Sequence, residues 1–170
     1  IKSGRITANM AGLIAKDTAK ILFVLGSKSL LGHSQRLLGF EQVLNERYKN
    51  MKIEDVIETQ DDNFISYNKI YNYLSSHSDI DLVIFAASGS KGGIRAILDL
   101  EYPCRIITFD MTSHNRRYLE EDIISCVICQ EPYMQGYHAV KILSDHLLLG
   151  KKLKSNRFYT KTEIFVRDSL

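Results

Sequence analysis

The chain is 170 residues long, with 45% hydrophobic and 25% charged residues and a formal net charge of +2. That length suits one domain with a sizeable buried core, and the composition is ordinary for a globular protein. The mixed charge leaves no electrostatic footprint for nucleic acid, and no apolar run approaches the ~20 residues that cross a bilayer.

In chain order, "RITANMAGLIAK" carries Ile6, Met10 and Leu13 at helical spacing. "KILFVLG" is a short continuous apolar run, as expected of a strand covered on both faces. "HSQRLLGFEQVLNERY" places Leu37, Phe40 and Leu44 on one helical stripe, and "KIEDVIE" alternates weakly, as a strand nearer a sheet edge does. "FISYNKIYNYLSSH" is helical, "DLVIFAAS" a buried strand, and "KGGIRAILDL" a short helix. "RIITFD" reads as a strand, "SHNRRYLEED" as a helical turn, and "SCVICQ" as a further strand. Pro132 opens a last helix, with Val140, Leu143 and Leu147 on one stripe and Gly150 at its end. "RFYTKTEIFVR" alternates and reads as a final strand. Strands and helices alternate throughout, which predicts an α/β, doubly wound, mostly parallel sheet with helices on both faces.

Ligands of such sheets bind beyond the carboxyl ends of the strands. Those ends are Gly26 with the Ser27–His33 loop, then Thr59, Ser88, Asp110 and Gln130. His33 and Arg36 stand at the same edge, although cations are disfavoured where a helix begins. They therefore face a crevice lined by Asp110, Ser88 and Gln130, and the five residues form the candidate ligand site. Each has a plainer alternative. Asp110 would also serve as an N-cap, Gln130 as a satisfied loop residue, Arg36 as a surface ion-pair partner, and His33 as a structural or exposed side chain. "SGSKGG" lacks the spacing of a phosphate-binding loop and reads as a strand-to-helix turn.

No catalytic motif or metal-ligand pattern is present, so an enzyme, a metal and a cofactor are not expected. A guanidinium, a carboxylate and an amide at one crevice suit recognition of hydroxyls by charge-assisted hydrogen bonds. Arg36, His33 and Lys91 together would also suit a sugar phosphate. Cys126 and Cys129, three apart on a strand, point to opposite faces and are not expected to bridge or share a metal. Unpaired cysteines fit a reducing cytoplasm.

With these residues in hand, the chain resembles the effector-binding region of the LacI/GalR family of bacterial transcription regulators, whose fold is shared with periplasmic sugar-binding proteins. The likeness runs from "SGRITANMAG" to "TEIFVRDSL" and is most specific in "GHSQRLLGF", "IITFD", "CQEPYMQGYHAVKIL" and "EIFVRDSL". It matches Arg36, Asp110 and Gln130 to effector contacts. Where the family often has Asn or Asp, this chain has Ala86, Ala87 and Ser88. The resemblance implies a periplasmic-binding-protein-like type I lobe over residues 1–131, and a final helix and strand, 132–170, packing partly on another lobe. It further implies a helix-turn-helix headpiece N-terminal to Ile1 that reads DNA, a small carbohydrate effector, and a cytoplasmic homodimer. The alternative is a periplasmic or extracellular sugar-binding receptor of an importer.

Overall fold

A computed structural model describes residues 1–153 and 155–170. Its centre is a six-stranded sheet in the order β2-β1-β3-β4-β5-β6. The strands are β1 (Lys20–Leu25), β2 (Lys52–Glu58), β3 (Leu82–Phe85), β4 (Arg105–Phe109), β5 (Cys126–Cys129) and β6 (Glu163–Phe165). The first five are parallel, and β6 joins β5 antiparallel. The doubly wound architecture expected from the alternating pattern is therefore the one observed.

Period-two geometry sends successive side chains to opposite faces, and both faces are covered. Ile21, Phe23, Ile84, Ile107 and Ile128 pack under α1 (Lys2–Ile14) and α2 (Leu31–Arg47). Leu22, Val24, Val83, Ile106 and Val127 pack under α3 (Asn63–Ser76), α4 (Ser90–Asp99) and α5 (Ser113–Glu120). This is why β1, β3 and β5 read as unbroken apolar runs, whereas β2 at the edge is half exposed. Cys126 belongs to the first layer and Cys129 to the second, so the two thiols lie on opposite faces. All three cysteines are free, and burial pushes the Cys126 thiol up to about 12.

Three elements differ from the sequence expectation. In α1 the buried face is Ser3, Gly4, Thr7, Ala8 and Ala11, whereas Leu13 is 76% exposed. The cause is a close crossing, since a Cβ on Gly4 would overlap the carbonyl oxygen of Arg36 on α2. Small residues are needed where two helix backbones approach so nearly. Second, "SHNRRYLE" forms a two-turn helix rather than a single turn. Third, only Glu163–Phe165 of the alternating tail pairs as a strand. The preceding residues run past the end of β5, where Thr160 Oγ1 donates to the Gln130 carbonyl at 2.8 Å and Lys161 N donates to Glu131 Oε2 at 2.7 Å.

The last helix, α6 (Pro132–Leu149), begins at a left-handed Glu131 (φ 50°) and ends at a left-handed Gly150 (φ 62°). None of its residues is buried, and Val140, Leu143 and Leu147 turn apolar surface outward. No helix among the described residues is long and apolar enough to cross a membrane.

Candidate functional site

The chain passes from β1 outward to β2, then back across β1 to β3, so the sheet's switch point lies between β1 and β3. Crevices at carboxyl ends beside such a point are where open α/β sheets take ligands.

Arg36 lies in the second turn of α2, because the helix begins at Leu31. Helical side chains lean toward the helix N-terminus, which here returns the guanidinium to the strand ends. Nη1 donates to the Ala86 carbonyl after β3, and Nη2 donates to Gln130 Oε1 after β5 at 3.2 Å. The guanidinium carbon stands 4.2 Å above the centroid of Phe109, the last residue of β4. One side chain thus ties together the ends of three strands. Burial lowers its pKa, and the carboxylates of Asp110 and Asp61 work against that shift. A guanidinium keeps its charge under such conditions.

Asp110 follows β4 in a left-handed conformation (φ 64°), a costly one for a residue with a Cβ. Its backbone is pinned on both sides, with N donating to Ile128 O at 2.9 Å and the carbonyl accepting from Asn115 Nδ2 at 2.8 Å. The same amide of buried Asn115 donates to Phe109 O at 3.1 Å, and its Oδ1 accepts from Ser90 Oγ at 3.1 Å. The N-cap of α5 is Thr112, so Asp110 does not have that role. Its carboxylate forms no hydrogen bond or ion pair among the described residues. Burial raises its pKa, and Arg36 opposes the rise.

Gln130 is held through its carbonyl, which accepts from Thr160 Oγ1 and from Gln135 Nε2 at 2.6 Å. Its own side-chain NH2 has no partner among the described residues. Guanidinium, carboxylate and amide thus meet at one rim, as the strand-end rule anticipates. Among the described residues the other two expected residues form no hydrogen bond to that trio. Ser88 is exposed, and its N–H donates to Asp61 Oδ1 at 3.0 Å. His33 Nδ1 accepts from Ser27 N at 3.2 Å, which closes the β1–α2 loop.

Sequence reasoning missed Asp61. The strand-end rule points to Thr59 at the end of β2, yet Thr59 is buried and donates to the Leu25 carbonyl at 3.3 Å. Asp61 comes two residues later, after a left-handed Gln60 (φ 54°) and itself left-handed (φ 58°). Its carboxylate lies against Gly26 so closely that a Cβ there would overlap it. The paired carboxylates of "TQDDN" are the one signal in the sequence, since the contact with Gly26 is made across 35 positions.

"SGSKGG" is a packing turn. Gly89 is left-handed (φ 89°), a Cβ on Gly92 would overlap the Asn63 carbonyl, and Gly92 N donates to Asn63 Oδ1 at 3.1 Å. His114 Nε2 lies 3.2 Å from Ser90 Oγ and 3.1 Å from Thr112 Oγ1, with no hydrogen bond to Asp110. No hydrolytic triad is assembled among the described residues. No group of metal-ligating side chains suited to an ion occurs among the described residues.

A cavity of about 1210 Å³ opens beside Arg36 and Gln130, between α1 and α2 on one side and α6 with the following tail on the other. His138, Leu143 and Tyr159 also line it. The site therefore consists of a polar rim at the strand ends and a wide, partly apolar space next to it.

A family model described as "Periplasmic binding protein domain" matches residues 1–152. The chain belongs to this family. Solved structures agree on the fold of the periplasmic binding protein domain. Similar chains include GanP, a glucose-galactose binding protein from Geobacillus stearothermophilus, at 24% identity and TM-score 0.90, covering 99% of this chain and 60% of that one. A periplasmic ribose ABC transporter protein from Conexibacter woesei matches at 21% identity and TM-score 0.85, covering 99% and 57%. A solute binding protein from Agrobacterium vitis, bound with alpha-D-tagatopyranose, matches at 18% identity and TM-score 0.90, covering 98% and 56%. The domain thus spans less than two thirds of these structures, and at such identities the likeness is one of fold. No curated protein sequence matches the chain.

Proposed function

We propose that this periplasmic binding protein domain is one lobe of a two-lobed, non-enzymatic sugar receptor of the kind that serves an importer outside the cytoplasm. The observation that carries the reading is the convergence of Arg36, Asp110 and Gln130 at the strand ends, with Arg36 and Gln130 lining the cavity. A polyhydroxylated ring presents alternating donors and acceptors. The free Asp110 carboxylate accepts hydroxyl protons, while the unused guanidinium N–H groups and the Gln130 amide donate to hydroxyl or ring oxygens. Because Arg36 is already locked on Ala86 and Gln130, little ordering is left for the ligand to impose.

The receptor reading is supported by the sugar-binding proteins among the domain's structural neighbours. Residues 1–131 form the lobe in this proposal. The helix α6, without a buried residue, presents Val140, Leu143 and Leu147 to a second lobe that completes the cleft. Closure of the two lobes around the sugar is then a hinge motion favoured by ligand.

A second reading is favoured by one observation, the likeness of "GHSQRLLGF" and "EIFVRDSL" to LacI/GalR regulators. In that case the same lobe senses a carbohydrate for a cytoplasmic, dimeric DNA-binding protein. Both readings are tested with the full-length protein. A rise in melting temperature with glucose, galactose, ribose, arabinose or tagatose, without retention of its own upstream DNA in a gel shift, is the result expected for the receptor. Sugar-dependent retention of that DNA would transfer the proposal to the regulator. The absence of any response to these sugars would end both.

A further inference from the structure

We propose that the cavity between α1 and α6 binds an organic anion, a carbohydrate that carries a carboxylate or phosphate group, through the cations of its wall. The inference rests on the sugar-binding reading above and deepens it by naming the ligand's charge class.

The first support is the sign of the lining charges. Lys2, Arg5, Arg36, Arg157 and Lys161 line the cavity, and no aspartate or glutamate does. The chain as a whole has 22 basic and 20 acidic residues, so this wall is not a sample of an evenly mixed surface. Like charges gathered around a concave space focus their field and raise the local concentration of the opposite charge. An anion in the cavity relieves their mutual repulsion.

The second support is how few of these cations are already matched. Arg5 is held by both carboxylate oxygens of Glu46, at 2.9 and 2.8 Å, and is spent on the protein itself. Arg36 feels Asp110 and Asp61, neither of which lines the cavity. Two of its five N–H groups are used, on Ala86 and Gln130, which leaves three for a ligand. The hydrogen bonds of Arg157 and Lys161 are made by their backbones, with Ser155 Oγ and Glu131 Oε2. The side chains of Lys2, Arg157 and Lys161 form no ion pair or hydrogen bond among the described residues. A guanidinium closes on a carboxylate or phosphate with two parallel N–H groups, and ammonium groups add point charges.

The third support is that the wall is not only charged. Ile6, Ile142, Leu143 and Phe158 belong to the same lining, which suits an anion with a carbon body over a bare inorganic ion. His33 and Lys91, the other cations of the sequence-level sugar-phosphate expectation, do not line the cavity. The unmatched cations come instead from α1 and from the tail that follows α6.

The test is calorimetric titration of the full-length protein at low ionic strength with glucose, galactose and ribose, with glucuronate and galacturonate, and with glucose 6-phosphate and ribose 5-phosphate. The uronates and the phosphates separate the two sources of charge, and inorganic phosphate is the control for a bare ion. At least one anionic sugar is expected to bind about tenfold tighter, or more, than its neutral parent and than inorganic phosphate. Raising ionic strength from about 10 mM to about 0.5 M is expected to narrow that gap by screening. Arg157→Gln combined with Lys161→Gln, both at exposed positions, is expected to narrow it by about tenfold at low salt. Should that variant fail to fold, the salt series decides alone. Neutral sugars that bind as tightly as their anionic forms, or a gap indifferent to salt and to the double variant, overturn the inference and leave the sugar reading standing. Inorganic phosphate that binds as tightly as the anionic sugars overturns it too. A protein that binds none of these compounds overturns both.

Discussion

Arg36 shows how a cation disfavoured at a helix start becomes useful one turn later. Its guanidinium is bonded to Ala86 and Gln130 and lies over Phe109, so it is a structural brace, and in the proposed receptor its remaining N–H groups are ligand donors. Arg36→Lys keeps the charge but cannot span the same groups, and a loss of sugar affinity of about 10- to 100-fold is expected by calorimetry. Asn115 is a positioning residue, because its amide holds the carbonyls on both sides of the bend at Asp110. Asn115→Ala leaves two carbonyls without that donor, so denaturant titration should show a loss of about 2–3 kcal/mol. Sugar affinity should fall with it while Arg36 is unchanged. Asp110 carries the opposite balance. Burial raises its pKa in the folded state, so the folded protein holds the proton more tightly than the unfolded chain. This contribution to stability is fully present below the ordinary aspartate pKa and is lost as pH rises through the raised value. Asp110→Asn is therefore expected to stabilise the unliganded protein at neutral pH, to flatten its stability in that pH window, and to weaken sugar binding. A stability curve identical to wild type would show that the buried carboxylate carries no such cost.

At the scale of elements, the apolar runs made β1, β3, β4 and β5 legible, since a strand covered on both faces leaves no room for alternation. The polar residue closing each run then pointed to Asp110 and Gln130, and the helix after β1 pointed to Arg36. Asp61 was not legible by that rule. Its place depends on two left-handed residues and on the empty space at Gly26, a neighbour 35 positions away in sequence. The α1 stripe misled for a related reason. A close helix crossing buries glycine, serine and alanine, so the larger Leu13 faces outward. The exposed stripe on α6 has a measurable consequence. In hydrogen exchange on residues 1–170, amides of β1 and β3 are expected to exchange last and those of α6 well before them, because α6 has no buried residue. Protection of α6 equal to that of β1 would contradict a helix without buried residues.

For the whole molecule, the sheet carries no chemistry of its own. Its order brings the ends of β1, β3, β4 and β5 to one edge, where side chains far apart in sequence meet. The cavity beside them is bordered by α6 and the tail, and it is the place against that rim that the proposed function gives to a sugar ring. Membership of the periplasmic binding protein domain family and the fold of its neighbours agree with this arrangement. The most direct measurement is calorimetry on the full-length protein, wild type and Asp110→Ala, titrated with glucose, galactose, ribose, arabinose and tagatose. Saturable binding of at least one sugar by the wild type, weakened by about 100-fold or more in Asp110→Ala, is the result expected. Binding that survives Asp110→Ala unchanged, or no binding of any of the five by the wild type, would contradict it.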